Sequence, residues 1–157
     1  MSSSNNNLVD LDLSEIPSAK NLKFGITVSK WNSEITNNLL NGCLDLLHSK
    51  GVNKNDIEVL YVPGSFELVY GSKYLQNKNY DAVIAIGSVI RGETKHFDFI
   101  CNATSQGIKD LNISGNCPVI FCVLTDDNIQ QSIDRSGGKY GNKGTEAAIA
   151  AIEMALI

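Results

Sequence analysis

The sequence predicts a doubly wound α/β sandwich, three layers deep, with a central sheet of four parallel strands. Three observations carry that expectation. Segments such as DAVIAIGSVI (81–90) and CPVIFCVLT (117–125) are apolar almost throughout, as strands covered on both faces must be. They alternate with stretches of helical length and helical apolar spacing. The 157 residues show no internal repeat and no break for a second domain.

The elements follow in a regular order from residue 22. LKFGITVS (22–29) reads as the first strand. SEITNNLLNGCLDLLHSK (33–50) places Ile35, Leu39, Cys43 and Leu46 or Leu47 on one helical face, with Asn32 or Ser33 to cap its start and Gly51 to stop it. DIEVLYV (56–62) is the second strand, closed by Pro63-Gly64, and SFELVYGSKYLQNK (65–78) the second helix. The third strand, 81–90, precedes a helix from about Asp98 to Leu111. After the fourth strand come DDNIQQSIDRS (126–136), with Asp126 or Asp127 as its cap, and TEAAIAAIEMALI (145–157). With right-handed crossovers this order gives a flavodoxin-like layer. Upstream, LVDLDL (8–13) alternates apolar and acidic residues, which suits a short strand. SEIPSAKN separates it from the body, so its partner is expected at a distance, such as another subunit's sheet edge.

Composition excludes several classes of function. Seventeen acidic against thirteen basic residues leave a formal charge of -4, and phosphate backbones call for a basic face, so no nucleic-acid partner is expected. No apolar run approaches the roughly 18 residues a bilayer span needs, so no membrane partner is expected. MSSSNNN has neither a basic nor an apolar signal region and is expected to be a solvated tail. The four cysteines, Cys43, Cys101, Cys117 and Cys122, form no C-x-x-C pair and sit among apolar neighbours. Free thiols in a reducing cytoplasm are the expectation. Two distant histidines and no acidic cluster at ligand spacing predict no metal site.

In doubly wound sheets, ligands bind outside the carboxyl ends of the strands. The rim loops here begin near Ser29, Pro63, Gly87 and Leu124. Trp31 in the first loop reads either as core or as a flat surface for a planar ring. Ser65, Phe66 and Glu67 follow the Pro-Gly turn. Glu67 is either an acceptor for a ligand or an acid matched to a helix dipole. In GSVIRGETKHFDFI (87–100), Glu93 and Thr94 lead into a helix whose first amides form an anion site. His96 beside it is either a passive helix residue or a general acid–base group. His48, in the last turn of the first helix, suits the dipole and reads as structural. Phe121 reads as core. Arg135, Lys139 and Lys143 gather around four glycines and read as an anion-binding joint, a hinge or solvated charge. The glycines spell neither a phosphate-binding P-loop nor a dinucleotide fingerprint.

Taken together, GSVIRGETKHFDFI, VPGSFEL, VIFCVLT, RSGGKYGNKG and AAIAAIEMA resemble the lumazine synthase (6,7-dimethyl-8-ribityllumazine synthase) family from about residue 22 to the end. VIRGET-x-HFD and GNKG are its specific elements. The resemblance implies an enzyme of riboflavin biosynthesis, a transferase that condenses 5-amino-6-(D-ribitylamino)uracil with 3,4-dihydroxy-2-butanone 4-phosphate, using no cofactor and no metal. It implies that Trp31 stacks on the pyrimidine, that Ser65, Phe66 and Glu67 hold the ribityl chain, and that Ser88, Val89 and Ile90 line the pyrimidine. Glu93 and Thr94 would hold phosphate and His96 would donate a proton. Phe121 and Arg135 would come from the neighbouring subunit, Arg135 binding phosphate, with Lys143 in support. Trp31 stands where phenylalanine is more common, and Ser65 where alanine is. The resemblance further implies residues 1–20 as a tail whose strand joins a neighbour's sheet, and 21–157 as one domain. It implies a homopentamer or a sixty-subunit icosahedral shell of twelve pentamers, with riboflavin synthase as the protein partner to test. A non-catalytic lumazine- or flavin-binding module and a purely structural shell subunit are the competing expectations.

Overall fold

In a computed structural model, which describes residues 13–157, the chain enters its sheet at Phe24–Ser29 (β1) and leaves it for a helix at Ser33–Ser49 (α1). Ile57–Val62 (β2), Leu68–Gln76 (α2), Ala82–Ile90 (β3), His96–Ser114 (α3), Val119–Asp126 (β4) and Ile129–Arg135 (α4) follow. A small antiparallel hairpin, Ser136–Gly138 (β5) with Gly141–Asn142 (β6), leads into Lys143–Ala155 (α5). Of the strand expected at 8–13, only Leu13 lies within the described residues, and it opens a short 3₁₀ turn, Leu13–Glu15.

The four long strands form one parallel sheet in the order β2-β1-β3-β4. This is the expected doubly wound layer. β3 sits inside it, and its first seven residues are buried. Alternation decides which way they face. Ile84 and Ile86 join a core with α1 and α5, through Leu39, Leu47 and Ile152. Val83 and Ala85 join the opposite core with α2 and α3, through Leu68, Leu75, Ile108 and Leu111. One strand thus glues two helical layers, which is why its sequence is apolar from Ala82 to Ile86. At about 1.5–3 kcal/mol per fully buried Val, Leu or Ile side chain, these two cores dominate the stability.

Several boundaries differ from those expected, each for a local reason. α3 begins at His96 rather than Asp98, because the Thr94 hydroxyl accepts the His96 amide hydrogen at 3.4 Å and starts the turn early. α2 begins at Leu68, and Ser65–Glu67 form a separate turn before it. α4 is capped by Asn128, whose side chain accepts from Gln131 N at 3.1 Å. Asp126 instead ends β4 and is buried. Asn32 occupies the start of α1 in the left-handed region, φ 56°, and caps nothing with its side chain. Gly51, at φ 94°, lies just past the end of that helix as expected.

Within the glycine-rich stretch read as an anion-binding joint, a hinge or solvated charge, Asn142 caps α5. Asn142 Oδ1 accepts the Gly144 amide hydrogen at 2.8 Å, and its Nδ2 donates to Asn38 O at 2.8 Å, binding α5 to α1. The two helices cross so closely that a Cβ on Gly144 would lie 1.8 Å from Leu39 O. The four thiols are free. Burial raises the Cys43 thiol well above its ordinary pKa and pushes Cys122 up to about 12, so both stay protonated between helix and sheet. No helix among the described residues is long and apolar enough to cross a membrane, and no group of metal-ligating side chains is found among them.

Gly144→Ala drives a methyl into a carbonyl that cannot retreat, so it is expected to destabilise the fold by about 3 kcal/mol, the upper end for overpacking. Gly92→Ala, where an added Cβ would meet nothing within 4 Å beyond the adjoining residues, is the control and is expected to leave stability unchanged. Denaturant midpoints of the two variants check this.

Candidate active site

Parallel pairing brings the ends of β1, β2 and β3 to the same edge of the sheet, and their loops enclose a crevice of about 720 Å³. Its floor is the end of β3. Ser88 is buried, while Val89 and Ile90 are half-buried and turn toward the opening. The Ser88 hydroxyl is shut away from solvent and finds no hydrogen-bond partner among the described residues. A buried hydroxyl left unpaired costs about 1–3 kcal/mol, so this one is suited to a polar ligand atom.

The β2–α2 turn makes one wall. Pro63 and Gly64 reverse the chain, after which Ser65 is buried, Phe66 exposed and Glu67 half-buried against the crevice. Gly87 explains how this turn comes so near β3. A Cβ there would stand 2.8 Å from both Ser65 Oγ and Leu68 Cδ1, so only glycine lets the wall seat on the floor. Thr104 on α3 pins the turn from the far side, donating to Ser65 O at 3.2 Å.

Trp31 forms the opposite wall. It is 71% exposed, so the core reading fails. Its loop is tied down on two sides. Trp31 N donates to Ser29 Oγ at 3.2 Å, and Asn32 Nδ2 donates to Ser88 O at 3.0 Å. The second bond joins the tryptophan loop directly to the crevice floor, across 56 residues of sequence.

The third loop supplies Gly92, Thr94 and His96. His96 is exposed and is the first residue of α3, where the helix dipole favours anions, although its own N–H is taken by Thr94 Oγ and that of Asp98 by Lys95 O. Arg91 is not the anion's partner. It is engaged by Asp127 at 2.9 Å and Asp98 at 3.2 Å, and it lies over the Phe97 ring with 4.1 Å from Cζ to the centroid. Those two carboxylates, Asp127 first, raise its already high pKa further. Its work is to hold the loop. Phe97 and Ile100 line the crevice beside His96, and neither was singled out from sequence. The i, i+4 spacing of His96 and Ile100 was the available signal.

Four expected residues lie outside this crevice. Glu93 is exposed on the loop. Phe121 is 42% exposed on the outer strand β4 and lines a second hollow of about 400 Å³ with Asp98, Cys101 and Thr125. Lys143 is paired with Glu146 at 2.6 Å in the first turn of α5. Arg135 ends α4, with Nη1 donating to Gln131 O at 2.9 Å.

Comparison with known proteins agrees with these observations. A model of the 6,7-dimethyl-8-ribityllumazine synthase family matches residues 21–157. The chain belongs to that family. A Flavobacterium johnsoniae protein named 6,7-dimethyl-8-ribityllumazine synthase is 60% identical over 158 residues, covering 100% of this chain and 83% of its own. One of the same name from Christiangramia forsetii is 58% identical over 157 residues, 99% of this chain and 94% of its own. A Porphyromonas gingivalis protein, also so named, is 50% identical over 156 residues, 99% and 97%. Two of the segments that carried the resemblance in sequence, VPGSFEL and GSVIRGETKHFDFI, line the crevice.

Asn32 offers a test of how the tryptophan wall is held. Asn32→Gly keeps the left-handed backbone but loses the bond to Ser88, and is expected to cost about 1 kcal/mol. Asn32→Val loses both, and is expected to cost a further 1–2 kcal/mol or so. Thermal unfolding of the pair checks the order.

Proposed function

We propose that the chain is a 6,7-dimethyl-8-ribityllumazine synthase, condensing 5-amino-6-(D-ribitylamino)uracil with 3,4-dihydroxy-2-butanone 4-phosphate. The observation that carries this reading is the convergence of Trp31, Glu67, Ser88, Thr94 and His96 on one crevice, in a chain matched by that family along residues 21–157.

In this reading the pyrimidine lies on the Trp31 indole, its edge against Ser88, Val89 and Ile90, where a polar ring atom satisfies the buried Ser88 hydroxyl. Phe66 covers the ribityl chain, with Ser65 beside it and Glu67 accepting its hydroxyls. The ketone's phosphate sits against Thr94 and the first amides of α3, with Glu93 on the same loop. The pyrimidine's 5-amino nitrogen attacks the ketone carbonyl, and the carbinolamine loses water to give an imine. His96 supplies the proton that the departing oxygen needs; imidazole is the side chain whose charge ordinarily changes near neutrality. Elimination breaks the carbon–oxygen bond to phosphate and leaves an enol, which tautomerises to a ketone. The ring closes when the ribityl-bearing nitrogen attacks that ketone and a second water leaves. Atoms balance as one lumazine, two waters and one phosphate. Proton transfer, anion stabilisation and the alignment of two reactants account for the acceleration.

Assembly belongs to the same proposal. Phe121 and Arg135 lie away from the crevice of their own chain, which supports a neighbouring copy supplying them, Arg135 meeting the phosphate and Lys143 standing nearby. Residues 1–20 form the tail whose strand at 8–13 adds to a neighbour's sheet, and 21–157 form the domain. A homopentamer, alone or built into an icosahedral shell that encloses riboflavin synthase, is the arrangement proposed, in the cytoplasm.

Mixing the two substrates and following the lumazine's absorbance and fluorescence is the direct test; a binding module or a structural shell subunit yields no product. His96→Ala is expected to depress turnover about 10²-fold, the scale of one acid–base group, and undiminished turnover would rule out its role. His96→Ala and Arg135→Ala chains, each strongly impaired alone, are expected to show higher activity when co-assembled than either does by itself. No recovery in verified mixed assemblies would show that sites are not shared.

A further inference from the structure

We propose that Asp126 and Ser132 form a clamp that orients the Arg135 guanidinium for the phosphate-bearing ketone. The proposal rests on the phosphate role given to Arg135 above.

Asp126 is the last residue of β4, and its backbone is fixed by the sheet. It stands opposite Ile90 in the β3 register, and its carbonyl accepts Arg91 N at 2.9 Å. Its carboxylate is only 8% exposed. One oxygen, Oδ2, accepts from Ser132 Oγ at 2.7 Å, a bond buried within the fold. The other, Oδ1, lies 3.9 Å from Arg135 Nε. Ser132 and Arg135 are three residues apart on α4, so they share a face of that helix. The guanidinium is further held by Gln131 O, 2.9 Å from Nη1, and by the Tyr140 ring, 5.1 Å from Cζ. The Gln131 carbonyl takes one Nη1 position and Tyr140 a face of the plane, while Asp126 Oδ1 faces the Nε side as an ion pair, at 3.9 Å too long for a hydrogen bond.

A simpler reading makes Asp126 the cap of α4, but that helix already has one in Asn128. Burying a carboxylate is costly unless it is hydrogen-bonded, and an apolar residue would fill the same space at the root of the helix more cheaply. What the acid adds is direction. A guanidinium recognises phosphate through a planar fork, so its orientation matters as much as its charge. A carboxylate beside it also offsets part of its positive charge. The arrangement therefore favours alignment over raw attraction, and a neutral side chain of the same shape should serve almost as well.

The test uses the full-length assembled protein and measures initial rates with each substrate varied in turn, denaturant midpoints and assembly size being recorded for every variant. Asp126→Ala, which removes both the Ser132 hydrogen bond and the ion-pair contact to Nε, is expected to raise KM for the phosphate ketone about fivefold and KM for the pyrimidine less than about twofold. Asp126→Asn is expected to restore the ketone KM to within about twofold of the parent. Ser132→Ala, a smaller change that keeps the carboxylate, is expected to raise it about threefold, and it decides the matter if the alanine at 126 does not assemble. Inorganic phosphate should lose potency as an inhibitor in parallel. If Arg135→Ala leaves the ketone KM unchanged, the phosphate role of Arg135 is wrong. If Arg135→Ala raises it while the clamp variants do not, raise both KM values alike, or gain nothing from asparagine, the clamp is overturned and the role of Arg135 stands.

Discussion

Parallel pairing of β3 with β1 on one side and β4 on the other is the constraint from which the site follows. Because all four long strands point the same way, every strand-to-helix loop leaves the sheet at one edge. The registers set how far each loop reaches. β1 stops at Ser29 beside Val62 of β2, whereas β3 and β4 continue together to Ile90 and Asp126. The end of β3 makes the floor, and the earlier stop of β1 and β2 leaves room above it. A sheet buried on both faces cannot shift its register without moving its apolar side chains out of their cores, so the rim is rigid as a consequence of stability.

On that frame a few polar contacts place the loops. Asn32 bonds the tryptophan loop to Ser88 O, Thr104 bonds the Glu67 turn from beneath, and Arg91 fastens the histidine loop through two carboxylates and the Phe97 ring. Each contact joins groups far apart in sequence or on different elements. Surface ion pairs such as those of Arg91 contribute little stability, typically below about 1 kcal/mol each. Their value here is positional, since two reactants held in register gain more from fixed geometry than from any single strong contact.

The two ends of the proposed chemistry are held differently. The imidazole stands at the start of a nineteen-residue helix anchored in a core, with its ring open to the crevice. The guanidinium stands at the end of a seven-residue helix, and the buried acid at the root of that helix supports it. A short helix packs little surface of its own, so a polar anchor inside it does what packing does elsewhere.

From the sequence alone, the element order, the parallel sheet and the rim that carries ligands were legible, because a strand covered on both faces is apolar almost throughout, and β3 departs from that only at Ser88 near its end. The chemical residues were legible as a group because the segments around Trp31, Glu67 and His96 begin where those strands end. Their geometry was not. The sequence read Asp126 or Asp127 as a cap and the GGKYGNKG stretch as a joint; only tertiary contact made Asp126 a buried partner of Ser132 and Asn142 a bracket between α5 and α1. Nor did it show that Ser88 would be buried without a partner, or that Arg91 would be consumed by Asp98 and Asp127. Periodicity records which face of an element is apolar. Which polar groups meet is settled only when elements distant along the chain are packed together.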